Sequence, residues 1–280
     1  MQQPIDLQTV LHRRGVMAIV NITPDSFYAG SRTTDALSIE ERVRKAVAGG
    51  ASVIDIGGYS SRPGAADVDA GEEFRRVAEG LRAVRRVAPQ MAVSVDTFRA
   101  EVAARCIEAF GPVIVNDITA GEADPELMRV AARHGVPYVA MHMRGTPSTM
   151  QSMTDYGDIA AEVTEYLRGR IDRLTAAGVR RGSIAVDPGF GFAKTAEQNF
   201  QLLAGLHRLR ALGCPIVAGV SRKSMIYRTL GTTPDRALNG TTALHWECLR
   251  QGASVLRAHD TREAAETIAL YEQFAKNIDL

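Results

Sequence analysis

Residue types able to do chemistry are densest in Ala185-Val186-Asp187-Pro188-Gly189-Phe190-Gly191-Phe192-Ala193-Lys194. A short apolar run delivers a carboxylate to its own end, and a Pro-Gly pair then stops the extended chain. The glycines that follow let the backbone stay close to whatever the carboxylate holds. Alone, such an aspartate reads equally well as a cap for the next helix. The arrangement recurs, however. Short apolar runs also end at Asn21, Gly57-Gly58, Asp96, Asn116, Met141-His142-Met143, Ser221-Arg222-Lys223-Ser224, and Arg257 with His259. These residues divide by chemistry. Asp96, Asn116 and Asp187 offer acceptors and amide donors of the kind that hold the edge of a flat, nitrogen-rich ring. Lys223, Arg257 and His259, with Arg62, form a cationic set suited to a phosphate or diphosphate. Arg257 and His259 are two apart on a strand, so their side chains are expected to share one face.

The elements that must position them are legible as eight apolar runs: 16–20, 52–56, 92–95, 113–115, 136–141, 184–186, 216–218 and 254–257. Each is rich in residues that favour buried strands. Helical patterns lie between them, over 38–48, 71–87, 100–109, 126–134, 159–177, 196–212, 242–250 and 261–277. Several end in glycine before the next strand, at Gly49-Gly50, Gly135, Gly178 and Gly252, as a helix C-cap would. Strict alternation implies an α/β fold with a parallel sheet, and eight units are the number that closes a (β/α)8 TIM barrel. The expectation is one barrel domain over 1–280, with a doubly wound open sheet as the competing topology. In a barrel, the polar residues at the strand ends converge on one rim.

A net charge of +1 gives no support to nucleic acid or an acidic membrane as partner, so an anion must be met by local groups. No apolar run approaches the roughly 18–20 residues that span a bilayer. Cys106, Cys214 and Cys248 show no metal or redox spacing and read as core residues of a cytoplasmic protein. His245 and Trp246 read as packing residues, and His12, His134 and His207 as surface or capping groups. Met141 and Met143 read as pocket walls rather than copper ligands. Neither a phosphate-binding P-loop nor a nucleophile elbow is present.

The ordered set Asn21-Ile22-Thr23-Pro24-Asp25-Ser26-Phe27, Asp55-Ile56-Gly57-Gly58, Ser61-Arg62-Pro63-Gly64-Ala65 and Ser94-Val95-Asp96-Thr97 resembles the dihydropteroate synthase family. So do Asn116-Asp117, Met141 to Pro147, Asp187 to Phe192, Ser221 to Ser224 and Arg257 to Asp260. The resemblance covers nearly the whole chain. It implies a (β/α)8 barrel, typically a homodimer, that joins 6-hydroxymethyl-7,8-dihydropterin diphosphate to p-aminobenzoate and releases diphosphate. It further implies that Asp96, Asn116, Asp187 and Lys223 hold the pterin, that Asn21 binds Mg²⁺, and that Arg257 and His259 meet the diphosphate. Ser61, Arg62, Pro63, Phe190, Lys223 and Ser224 would frame p-aminobenzoate and its sulfonamide mimics. Such chemistry needs no protein nucleophile: diphosphate departs, leaving a cation on the pterin methylene for the arylamine to attack.

The chain departs from the family pattern at Tyr28 and Ala29, where the first loop commonly has serine and aspartate, and at Tyr59 and Ser61, where glutamate and threonine are common. Two other readings share part of the pattern. A methyltetrahydrofolate:corrinoid methyltransferase would use the ring-holding set but not the cations, and a non-catalytic paralogue would bind pterin without turnover.

Overall fold

A computed structural model describes residues 6–22, 32–60 and 68–277. Eight strands carry the architecture: β1 (Gly15–Asn21), β2 (Val53–Gly57), β3 (Ala92–Asp96), β4 (Ile114–Asp117), β5 (Tyr138–Met141), β6 (Ile184–Asp187), β7 (Val217–Ala218) and β8 (Val255–Ala258). All their pairings are parallel, in the order β6-β5-β4-β3-β2-β1-β8-β7. A parallel bridge between Val186 and Ile216, with the Val186 N–H donating to Pro215 O at 2.9 Å, joins the two ends. The sheet is therefore a ring, and the open-sheet alternative falls.

The helices are α1 (Leu7–Val10), α2 (Arg32–Ala48), α3 (Ala70–Val87), α4 (Ala100–Phe110), α5 (Glu126–His134), α6 (Ile159–Ala176), α7 (Ala196–Ala204), α8 (Ser224–Thr229), α9 (Leu238–Arg250) and α10 (Thr261–Ala275). Caps follow the expected chemistry. Asp69 and Asp158 accept from backbone N–H groups of α3 and α6, and Thr195 with Gln198 forms a reciprocal capping box on α7. The helix expected over 196–212 instead breaks at Gly205 and continues as a 3₁₀ stretch, Leu206–Leu212. A side chain at Gly205 would stand 2.6 Å from Ala160 Cβ, so α6 packs too closely there for any residue but glycine. The short α1 and α8 lack enough apolar periodicity to be read from sequence.

Strand periodicity sorts the core. Residues facing outward, such as Val16, Val20, Ile54, Val93, Val115, Tyr138 and Leu256, belong to one large cluster with the helices. Facing inward, Met17, Val53, Ala92, Ile114, Val139, Ala185, Val217 and Val255 form a separate apolar layer, one residue from each strand, sealed below by Leu7, Val10 and Leu11. Two residues higher on each strand the inward positions become Ile19, Asp55, Ser94, Asn116, Met141, Asp187, Gly219 and Arg257. Two higher again come Asn21, Gly57, Asp96, Ile118, Met143, Gly189, Ser221 and His259. The barrel interior thus changes from wholly apolar to strongly polar within one step of the pleat.

Candidate active site

The second and third layers form one connected polar group. Asp55, fully buried on β2, accepts from Arg257 Nε at 2.7 Å and from Asn116 Nδ2 at 3.2 Å. Arg257 also donates from Nη2 to Asp96 Oδ2 at 2.6 Å. Asp187 uses Oδ1 to accept the Gly189 N–H at 2.7 Å. Lys223 donates to the carbonyl of Phe190. Two glycines leave room for this convergence. A Cβ at Gly219 would lie 3.8 Å from Lys223 Nζ and 3.9 Å from both Asp187 Oδ2 and Arg257 Cβ. One at Gly57 would lie 3.2 Å from Asn21 Oδ1 and 3.8 Å from Asp96 Oδ2.

The hydrogen-bond directions decide what the pocket can hold. Asn116 Oδ1 and Asp96 Oδ1 have no partner among the described residues, and neither is a sealed-off buried atom. With Asp187 Oδ2, these atoms give the site a set of acceptors, which fits a ring edge rich in N–H donors. Lys223 supplies a donor and a charge beside Asp187, since Nζ and Asp187 Oδ2 both border the space over Gly219. Burial pushes the Lys223 ammonium down to about 8, against the pull of Asp187, so it is still protonated at neutral pH. Burial raises the Asp187 carboxyl, with Lys223 and the Gly189 N–H opposing. Burial raises Asp96 as well, and Arg257 pulls it back toward the charged form.

The chain matches the family model described as pterin binding enzyme over residues 17–259. This chain belongs to the pterin binding enzyme family. It is 42% identical to a dihydropteroate synthase of Synechocystis sp. over 91% of this chain and 88% of that one. Its fold superposes on a Xanthomonas albilineans dihydropteroate synthase with 4-aminobenzoic acid, with TM-score 0.85, 37% identity and 94% of each chain covered. A Yersinia pestis dihydropteroate synthase in a sulfonamide drug complex gives TM-score 0.86 and 36% identity, covering 95% of this chain and 96% of that one.

Within this family member, Asn21, Asp96, Asn116, Asp187, Lys223 and Arg257 gather at one end of the barrel. Met141 and Met143 do wall an apolar patch, with Ile118, Met150, Ala193, Phe98 and Phe192. Ser224 opens α8 directly after Lys223. Ser61, Arg62 and Pro63, like Tyr28 and Ala29, lie outside the described residues.

Three expectations need correction. Arg257 does not stand apart as an anion-binding cation, because Asp55 and Asp96 already hold its guanidinium. His259 is not cationic at neutral pH: burial, with Arg257 nearby, lowers it to about 4. Its Nδ1 lies 3.2 Å from Ser221 Oγ. Phe190 is fully buried with its ring in the outer core, so only its carbonyl reaches the site. Phe192 takes the position at the mouth, with its ring 4.8 Å from Lys223 Nζ.

Sequence reading assigned no role to several groups that brace this site. Lys194, buried, donates to the carbonyls of Gly189 and Phe192 at 2.9 Å and stands 2.9 Å from His142 Nδ1. That amine ties the turn after β6 to the end of β5. Glu73, also buried, accepts from Thr97 Oγ1 at 2.6 Å and from Arg99, fixing the chain just beyond Asp96. Asp55 carried a readable signal: it is a charge inside a β-branched run, two residues above inward-facing Val53.

Proposed function

We propose that this chain is a dihydropteroate synthase, condensing 6-hydroxymethyl-7,8-dihydropterin diphosphate with p-aminobenzoate to 7,8-dihydropteroate and diphosphate. The observation that carries the reading is the set of acceptors on Asp96, Asn116 and Asp187 gathered with Lys223 at one end of a pterin binding enzyme barrel. A pterin's amino and ring N–H groups match those acceptors, and its carbonyl and ring nitrogen match the lysine. The relatives named above, one carrying 4-aminobenzoic acid and another a sulfonamide drug, support the second substrate and the expectation that sulfonamides compete for its place.

The residues divide the work. Asp187 and Asn116 orient the ring, while Lys223 compensates charge at its far edge. As diphosphate leaves, positive charge develops on the pterin methylene, and the Asp96 carboxylate stabilises it from a rigid strand end rather than from a loop that must first order. The arylamine nitrogen then bonds to the methylene carbon, and its proton passes to the released diphosphate. Ser221, His259 and Ser224 offer hydroxyl and imidazole groups to the departing anion.

Mg²⁺ fits the described donor set as a substrate-borne ion. Among the described residues there is no cluster of three carboxylate, His or Cys groups to form a cage. Asn21 Oδ1 stands beside the space left by Gly57, one oxygen donor of the kind that joins substrate phosphates around this ion. Bound there, Mg²⁺ would neutralise charge on the leaving diphosphate. A cytoplasmic homodimer is part of the same proposal. No helix of the described residues is long and apolar enough to cross a membrane.

Diphosphate release, measured with and without p-aminobenzoate and Mg²⁺, tests the reading. Release requiring both supports it. Binding of pterin with no release under any combination would favour a non-catalytic pterin binder.

A further inference from the structure

We propose that Asp55, which lies beneath the pocket out of reach of substrate, determines the hydrogen-bond polarity of the pocket wall through Asn116. The inference rests on the pterin reading of the pocket and goes beyond it by naming the residue that decides which ring edge is accepted.

The argument follows donors and acceptors from one side of the barrel to the other. An arginine only donates, so whatever faces Arg257 must accept. Asp55 does so, with Oδ2 at 2.7 Å from Arg257 Nε. An ionised carboxylate only accepts, so the face of Asn116 turned toward it must be the NH₂. The Asn116 Nδ2 indeed stands 3.2 Å from Oδ2 and 3.4 Å from Oδ1 of Asp55. Asn116 Oδ1 is then the atom left for the ligand, and it presents an acceptor. Arg257, Asp55 and Asn116 come from strands β8, β2 and β4, so the relay crosses the barrel interior. Both Asp55 and Asn116 are buried. Reversing the Asn116 amide would aim its oxygen at a carboxylate, leaving a buried acceptor pair without a proton between them.

Replacing Asp55 by Asn changes the rule while keeping the shape. The new carboxamide must turn its oxygen to Arg257, at the Oδ2 position that is also 3.2 Å from Asn116 Nδ2, and this places an NH₂ at the Oδ1 position, 3.4 Å from the same atom. Asn116 then faces one acceptor and one donor, so either orientation of its amide is satisfied and either an oxygen or an NH₂ can meet the ligand. The pocket's preference should weaken at that one contact, although no residue touching the ligand has been altered.

Two probes of nearly equal shape read this out. 6-Hydroxymethylpterin carries an amino donor where 6-hydroxymethyllumazine carries a carbonyl acceptor. Binding of each to the full chain would be measured by calorimetry in the presence of inorganic diphosphate. The native protein should prefer the pterin by at least about 100-fold, since a site built to hydrogen-bond a group rejects an analogue lacking it strongly. Asp55→Asn should cut that ratio by at least about tenfold. If both affinities fall together and the ratio stays, Asp55 is a packing and charge-balancing residue only and the proposal is overturned. If the native protein shows no preference, the pterin reading itself fails and this proposal with it. Should Asp55→Asn fold poorly, Asn116→Leu leaves the Asp55–Arg257 pair intact and deletes the acceptor. It must erase most of the same preference, and retention of the native ratio would overturn the relay.

Discussion

The guanidinium of Arg257 stands 2.6 Å from Asp96 Oδ2, joining a residue expected to meet diphosphate to one expected to meet the pterin. Since Asp55 shares the same guanidinium, one cation holds two carboxylates from neighbouring strands at the pocket floor. The pairing makes Arg257 a support for the ring-binding wall as well as a charge near the leaving group.

Arg257→Met should expose this role through stability. Removing one member of a buried ion network typically costs about 3–5 kcal/mol, because the remaining charges are left unpaired. Burial already raises Asp96, and loss of Arg257 raises it further. A carboxyl with a folded pKa above its unfolded value binds more protons when folded, so its contribution to stability falls as pH rises through that interval. Urea unfolding should therefore show a larger loss at pH 8 than at pH 5. An equal loss at both values would mean that charge pairing is not the cause.

Lys223 sets a second pH dependence. Its ammonium, lowered by burial to about 8, binds anions only while protonated. Diphosphate affinity should weaken as pH rises through 8, and binding near pH 8 should take up a proton. Lys223→Arg keeps the charge throughout this range and should flatten the profile relative to the native protein. Calorimetry in buffers of different ionisation enthalpy measures the proton uptake directly, and its absence would remove Lys223 from the anion contact.

His259 should behave as a neutral hydrogen-bonding group in the ligand-free protein. Burial, with Arg257 next in effect, lowers it to about 4. Imidazole ¹⁵N spectra should show no titration of this residue between pH 5.5 and 8. Replacement by Gln retains a neutral polar group and should keep activity within about tenfold, whereas Ala should lower kcat by roughly 10²-fold, the scale of one lost preorganised donor. A titration centred near 6.5 would instead restore His259 to the cationic set.

Gly189 is the backbone position on which the Asp187 turn depends. Its φ is +68°, and a Cβ there would stand 2.0 Å from the His142 carbonyl oxygen. Gly213 has nearly the same φ, +67°, with nothing within 4 Å. Gly213→Ala should cost about 1–2 kcal/mol, the left-handed strain alone. Gly189→Ala should cost well beyond that and abolish pterin binding, because the turn must move and take Lys194 and Lys223 contacts with it. Thermal unfolding of the two variants separates strain from collision, and matching losses would show that the turn adapts.

Much of this architecture follows from local pattern. Alternating apolar runs and helical stretches specified eight βα units, because a strand buried on both faces must be β-branched and apolar along its length. Position at a strand end was enough to single out Asn21, Asp96, Asn116, Asp187 and Lys223, since barrel topology carries every such end to one rim. Gly135 as the left-handed cap of α5 was legible for the same local reason.

Partner choice was decided only by the tertiary structure. Arg257 and Asp55 lie 202 positions apart, and Arg257 and Asp96 161 apart, so no spacing in the chain announces that they share charge. The closure between β6 and β7 rests on one bridge at Val186, which a two-residue β7 could not declare by its pattern. His259 loses its charge, and Phe190 its place at the mouth, through burial by residues remote in sequence. Sequence determines which side chains point inward, because that depends on a repeat of two residues. Charge state and hydrogen-bond direction depend on which atoms fill the few ångströms around each group, and only the closed barrel brings those atoms together.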